Sequence, residues 1–264
     1  PKRENWEALN GEIEFRDVTF RYPDGEENVL EHFDLTVPQG SMVAIVGETG
    51  AGKSTLVNLV CRFYEPTQGQ MLIDGRDARE RSQLWLHSHI GYVLQTPHLF
   101  SGTVLENLRY GNPNATMEEI EAAVCRVSAD KVIARMEHGY DSEVGEGGDL
   151  LSTGEKQLLS FARALLADPR ILVLDEATSS VDTLTEKAIQ DAISTVTHGR
   201  TSFVIAHRLS TIRDADVILV MRDGKVVERG THHALLEQKG YYYRLYTQQF
   251  MQETSEEAMR VSAQ

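Results

Sequence analysis

An α/β fold with a mostly parallel sheet is predicted by two observations. Short, continuously apolar runs recur along the chain, each passing into polar residues: SMVAIV at 41–46, GYVLQ at 91–95, ILVLDE at 171–176 and TSFVIAH at 201–207. Strands buried on both faces read this way. The first run leads into a glycine-rich turn and then a helical pattern, which gives strand, loop and helix in succession.

The elements follow in order. Residues 1–10 are polar and read as a linker remnant. From Gly11, the alternation of Ile13 and Phe15, then Val18, Phe20 and Tyr22, predicts a half-buried strand in an antiparallel β region, with a register break near Arg16 and Asp17. After the strand at 41–46, Leu56 to Arg62 continues as helix. Between Gln95 and Asp168 the period becomes helical, with Thr116 and Glu119 placed for a capping box ahead of Ile120, Ala123, Val124 and Val127. This predicts a helical subdomain, about 97–168, inserted into the sheet domain. VILVMRDGKVVERG predicts a hairpin around Asp223-Gly224, followed by a helix from about His232 to Gln238 that Gly240 stops. The main domain therefore spans 11–249, and 250–264 is expected to be a polar, frayed tail.

Composition limits the function. The chain has 264 residues, 41% hydrophobic and 25% charged, enough for a sizeable core. A formal charge of -14 repels nucleic-acid backbones and anionic lipid, so no nucleic-acid partner is expected. Cys61 and Cys125 lack metal or CxxC spacing and are expected to be two small buried side chains. No apolar stretch approaches the roughly 18 residues of a membrane span, so the chain is expected to be soluble and made for a reducing cytoplasm.

Gly47 to Ser54 reads GETGAGKS and fits G-x-x-x-x-G-K-[ST] between strand and helix, the context that makes the match specific. Its glycines let successive N–H groups turn inward around phosphates, Lys53 adds a point charge, and the Ser54 hydroxyl suits Mg²⁺. This identifies a P-loop NTPase core without choosing among kinases, GTPases, helicases and transporters. Ligands in such sheets bind beyond the carboxyl ends of the strands, which brings forward Gln95, Asp175, Glu176 and His207. Asp175 is placed as a metal carboxylate and Glu176 as the group that polarises water. Each has a plainer reading taken alone: Gln95 as a strand-end polar residue, His207 as a hydrogen-bonded imidazole, Tyr22 as a strand aromatic. LSTGEKQ at 151–157 starts a helix with Ser152 at the N-cap and Glu155 at N3, either an anion site or simply a well-capped helix.

GETGAGKS, GYVLQ, LSTGEKQ, ILVLDEATSSVD and VIAHR, in this order and at these separations, resemble the nucleotide-binding domain of ABC transporters from Gly11 to about Phe250. TPHLFSGTVLENLRYG and EVGEGG look like those of multidrug-exporter half transporters. The resemblance implies an ATPase using ATP and Mg²⁺. Tyr22 would stack on adenine. Gly47, Glu48, Thr49, Gly50, Ala51, Gly52, Lys53, Ser54 and Thr55 would hold the phosphates. Ser54, Gln95 and Asp175 would bind the metal, with Gln95 also sensing the γ-phosphate. Glu176 would be the general base, His207 the switch histidine and Ser179 to Asp182 the D-loop. Ser152, Gly154 and Glu155 would face the nucleotide of a second domain. The implied partners are a transmembrane domain of the same transporter and a second nucleotide-binding domain, at the cytoplasmic face of the cell membrane. The family signature is LSGGQ, and here Thr153 replaces a glycine and Glu155 the glutamine. With Glu176 and His207 intact, the altered signature raises pairing with a different chain as an alternative to a homodimer. A soluble ABC protein of DNA repair would need a long coiled-coil insertion, for which Lys53 to Ser152 leaves no room. A module that holds ATP without hydrolysing it is disfavoured by the intact Glu176.

Overall fold

The computed structural model describes residues 7–48, 51–95, 97–176 and 183–262. The chain runs through β1 (Ile13–Phe20), β2 (Leu30–Val37), β3 (Met42–Val46), α1 (Ser54–Val60), β4 (Gln68–Ile73) and β5 (Arg76–Asp77). It continues through α2 (Gln83–His89), β6 (Ile90–Val93), α3 (Val104–Arg109), α4 (Met117–Arg126), α5 (Asp130–Ala134), α6 (Thr153–Ala167) and β7 (Ile171–Asp175). It closes with α7 (Thr183–Thr197), β8 (Thr201–Ile205), α8 (Leu209–Asp214), β9 (Val217–Arg222), β10 (Lys225–Gly230), α9 (His232–Gln238) and α10 (Tyr241–Ser262).

Two sheets form. One is antiparallel in the order β2-β1-β4-β5; the other runs β10-β9-β3-β8-β7-β6 and is parallel from β9 to β6. The parallel strands are continuously apolar because each face is covered by a different layer. Val43 and Ile45 of β3 join Phe203, Val173, the buried side of α1 and the antiparallel sheet. Ala44 and Val46 join Leu172, Leu174, Val204 and the helices on the opposite face. On that face α6 packs against α3, α4 and α7, so the helical segment between β6 and β7 leans on the sheet domain through one long helix. The parallel direction puts the carboxyl ends of β3, β6, β7 and β8 along one edge, where the expected phosphate-binding residues lie.

The register break in β1 is present between Phe15 and Val18, with Asp17 at φ 50°. The turn joining β9 and β10 has φ of 51° at Asp223 and 77° at Gly224, the hairpin geometry that an Asp-Gly pair favours.

Several expectations are corrected. The helix after the glycine loop begins at Ser54 and ends at Val60, with Arg62 already left-handed at φ 54°. The polar residues Gln95 and His207 stand two positions beyond their strands. At α4, Thr116 accepts from Glu119 N at 3.2 Å, but the Glu119 carboxylate bonds the Thr116 hydroxyl, so only half the capping box forms. Lys239, at φ 50°, caps α9 in place of Gly240. Gly240 leaves room for Glu228: a Cβ there would lie 2.3 Å from Glu228 Oε1, and that side chain would have to shift. The Glu228 carboxylate instead accepts from Tyr241 N at 2.6 Å and Tyr242 N at 3.1 Å and starts α10. That helix continues to Ser262 where a frayed tail was expected: its first turn is capped by Glu228 and anchored by the buried Tyr242, and Met, Gln, Glu and Ala extend it at little cost. Of the cysteines, Cys61 is buried but Cys125 is exposed, since it lies on the solvent side of amphipathic α4. No helix of the described residues is long and apolar enough to cross a membrane.

Candidate functional site

Strand β3 delivers the chain at Val46 into the glycine loop, and α1 carries it away from Ser54. Thr49 and Gly50 lie outside the described residues. Gly52 sits at φ 86°, and a Cβ there would be 2.9 Å from Gly224 Cα in the β9–β10 turn, so only glycine fits. Gly224 N also donates to Ala51 O at 2.9 Å, which fixes the loop against the sheet. Lys53 Nζ donates to Gly47 O at 3.0 Å. Burial lowers the Lys53 pKa while Asp175 pulls it up; burial raises the Asp175 pKa while Lys53 pulls it down. A half-buried cation and carboxylate therefore feel each other across the mouth of the sheet. Ser54 is exposed beside them, Glu48 is exposed, and Thr55 is buried.

The Tyr22 hydroxyl lies 3.1 Å from Thr55 Oγ1 and accepts from Asn58 Nδ2 at 3.2 Å, which ties the ring to α1. Phe20 and Tyr64 meet it edge-on, with centroids at 4.9 and 5.0 Å. Tyr22 is thus held against the first turns of the glycine-loop helix and stays partly exposed.

Across the sheet edge, Glu176 N donates to Ile205 O at 3.1 Å, and its side chain is fully buried. Glu176 Oε2 accepts from Arg208 Nη1 at 2.8 Å, while Oε1 has no hydrogen-bond partner among the described residues. Burial pushes the carboxyl up and the Arg208 guanidinium opposes that shift. Arg208 Nε in turn donates to Glu186 Oε1 of α7 at 2.5 Å. His207 is pushed down to about 4 by burial and by the charges of Lys53 and Arg208, so its imidazole is neutral near neutral pH. Gln95 O accepts from Gln157 Nε2 of α6 at 3.5 Å. The tertiary fold therefore gathers Gly47, Lys53, Asp175, Glu176 and His207 at one edge, and links Gln95 to the helix that begins at LSTGEKQ.

Comparison with known proteins matches the family model described as ABC transporter to residues 30–179. The chain belongs to the ABC transporter family. It is 50% identical over 240 residues to an uncharacterized ABC transporter ATP-binding protein of Bacillus subtilis, covering 91% of this chain and 40% of that protein. It is 48% identical over 244 residues to the ATP-dependent lipid A-core flippase of Chromohalobacter salexigens, covering 92% and 42%. A solved structure of a bacterial Atm1-family ABC exporter with ATP bound superposes with a TM-score of 0.84 at 41% identity, over 94% of this chain and 43% of that one. The chain spans about two fifths of the length of the first two of these relatives.

In this ABC transporter chain the departures from the family signature are accommodated locally. Ser152 Oγ accepts from Glu155 N at 3.2 Å and Ser152 N donates to Glu155 Oε1 at 3.0 Å, a complete capping box. Glu155 Oε2 also accepts from Arg135 Nη2, at the end of α5, at 3.3 Å. The carboxylate is thus both used as a cap and paired with a cation. Gly154 is buried behind it. Among the described residues the hydrogen bonds of Ser152 and Glu155 stay within α6 and its neighbour α5; none reaches the glycine loop of the same chain. Ser179 to Asp182, the expected D-loop, lies outside the described residues.

Sequence reasoning missed Arg208, Glu186, Asn58 and Arg135. Arg208 had a signal, since it directly follows His207 in VIAHR. The others come from distant segments and carry no motif.

Proposed function

We propose that this chain binds and hydrolyses ATP as the motor domain of a membrane exporter, in a pair with a second nucleotide-binding domain. The observation that carries this reading is the opposed Lys53 and Asp175 at the mouth of a parallel sheet, beside a turn that admits only glycine at residue 52. Such a mouth suits a triphosphate with a metal ion. Tyr22 would stack on adenine; Gly47 to Thr55 would hold the phosphates. Ser54, Gln95 and Asp175 are the residues that would hold Mg²⁺, which when bound supplies positive charge to the phosphate oxygens. Glu176 would accept the proton of the attacking water, and His207, kept neutral, would orient it. In the present arrangement Glu176 Oε2 is taken by Arg208, so Oε1, which has no hydrogen-bond partner among the described residues, is the oxygen that would serve as base.

The signature helix start would face the nucleotide of the second domain. Because Glu155 is capped and paired with Arg135, its charge no longer argues for a defective signature, and Thr153 is the change that favours an unlike partner chain over a second copy. A groove of about 410 Å³ on the helical side, with Tyr92, Leu94, Phe100 and Tyr110 exposed along it, supports docking of the transmembrane domain there, at the cytoplasmic face of the membrane. The charge of -14 supports a role without nucleic acid.

The test is a pair of substitutions. Lys53→Ala should abolish measurable Mg-ATP binding in calorimetric titration. Glu176→Gln should bind Mg-ATP and lose about 10² to 10⁴ in hydrolysis. Unchanged affinity in the first variant, or full hydrolysis in the second, would overturn the reading.

A further inference from the structure

We infer that Gln249 is a positioning residue for His207, through which the placement of α10 is felt at the reacting edge of the site. The inference rests on the role given to His207 under Proposed function. Gln249 Nε2 donates to His207 O at 2.7 Å, across 42 residues of chain. The same amide nitrogen donates to Glu253 Oε1, one turn further along α10, at 3.2 Å. Both of its N–H groups are engaged, so the amide is held in the orientation that reaches His207.

The bond matters because of what surrounds His207. Upstream, Ala206 N donates to Ile45 O at 2.9 Å and locks the chain to the central strand. Downstream, the Arg208 side chain is tied to Glu176 at 2.8 Å and Glu186 at 2.5 Å. Between Ala206 and the Arg208 carbonyl, which accepts from Ile212 N at 3.2 Å, the position of the His207 carbonyl remains to be set, and with it the backbone from which the imidazole projects. Gln249 sets it. The helix that carries Gln249 is itself fixed at its start: Tyr241 N and Tyr242 N bond Glu228, and the Tyr242 hydroxyl meets His232 Nδ1 at 2.6 Å. Further on, Met251 and Met259 are exposed on the later turns of α10.

The contact is not a packed one. A cavity of about 450 Å³ lies between α10, the chain at 46–48 and the chain at 206–212, with Glu48, His207 and Gln249 on its wall. Loss of the hydrogen bond therefore lets the His207 loop shift into open space without emptying the core, and the variant should fold.

The experiment compares Gln249→Leu, which has no donor, with Gln249→Lys, which keeps one of similar reach. In the nucleotide-free 264-residue chain, carbethoxylation of His207 by diethyl pyrocarbonate is followed by peptide mass spectrometry, with the exposed His233 as internal reference. Gln249→Leu should raise the His207 rate about five-fold, the population change expected for one ordinary hydrogen bond, and Gln249→Lys should restore it. With Mg-ATP, kcat should fall by about the same factor while KM stays within about two-fold, because the glycine loop is untouched. An unchanged His207 rate in Gln249→Leu, or an equal rise at His233, overturns the inference. If His207→Ala leaves hydrolysis intact, the role of His207 fails, while the reactivity measurement still decides whether Gln249 holds that loop.

Discussion

Replacing Arg208 by Met should expose how the buried Glu176 is held. The Arg208 side chain is 10% exposed and Glu176 is 0% exposed, and the pair meets at 2.8 Å. Met keeps the aliphatic stem and its packing but leaves a fully buried carboxylate without its cation. Breaking one side of such a pair costs about 3 to 5 kcal/mol. The second contact, to Glu186 at 32% exposure, adds about 0 to 1 kcal/mol because solvent screens it. Urea unfolding near neutral pH should therefore show a loss of about 3 to 5 kcal/mol. In a Glu176→Gln background no charge is stranded, and the same replacement should cost under about 1 kcal/mol. The reasoning is refuted if Arg208→Met costs the same in both backgrounds, or if it costs under about 1 kcal/mol in the wild-type chain.

Three further outcomes follow from burial and capping. His207 falls from its ordinary 6.5 to about 4 in the folded chain, so the unfolded chain binds the proton first; stability is complete above about 6.5 and is lost as pH falls toward 4. His207→Asn should remove about 2 to 3 kcal/mol from that slope, read from urea midpoints across the range. The Cys61 thiol is buried and pushed up to about 12, whereas Cys125 is exposed, so a thiol-disulfide reagent should react with one cysteine in the native chain and two in denaturant. Ser152→Ala removes the cap on Glu155 N while the backbone N–H that holds the Glu155 carboxylate stays, and should lower stability by about 1 kcal/mol in thermal melting.

What the sequence determined by itself was everything encoded in short range. Continuous apolar runs with period-2 burial, as in Val43 and Ile45 against Ala44 and Val46, carry the parallel sheet, because a strand covered on both faces needs no polar side. The glycine loop, the Ser152 capping box and the Asp223-Gly224 turn are legible for the same reason: each is a contract between residues within a few positions of one another. Other features depended on partners far along the chain. Cys125 looks apolar in isolation, yet the face of α4 that packs on α6 is the one bearing Ile120 and Val124. The tail looks unstructured in composition, yet Glu228, from a strand, caps its first turn. Only the tertiary structure decided that Glu176 is buried against Arg208, that Arg135 takes the charge of Glu155, and that Gln249 holds the His207 carbonyl. These contacts join segments 20 to 42 residues apart, and no local pattern encodes which of many candidate donors and acceptors will meet. That choice is made by the packing of helices on the sheet, after the strands and turns are already fixed.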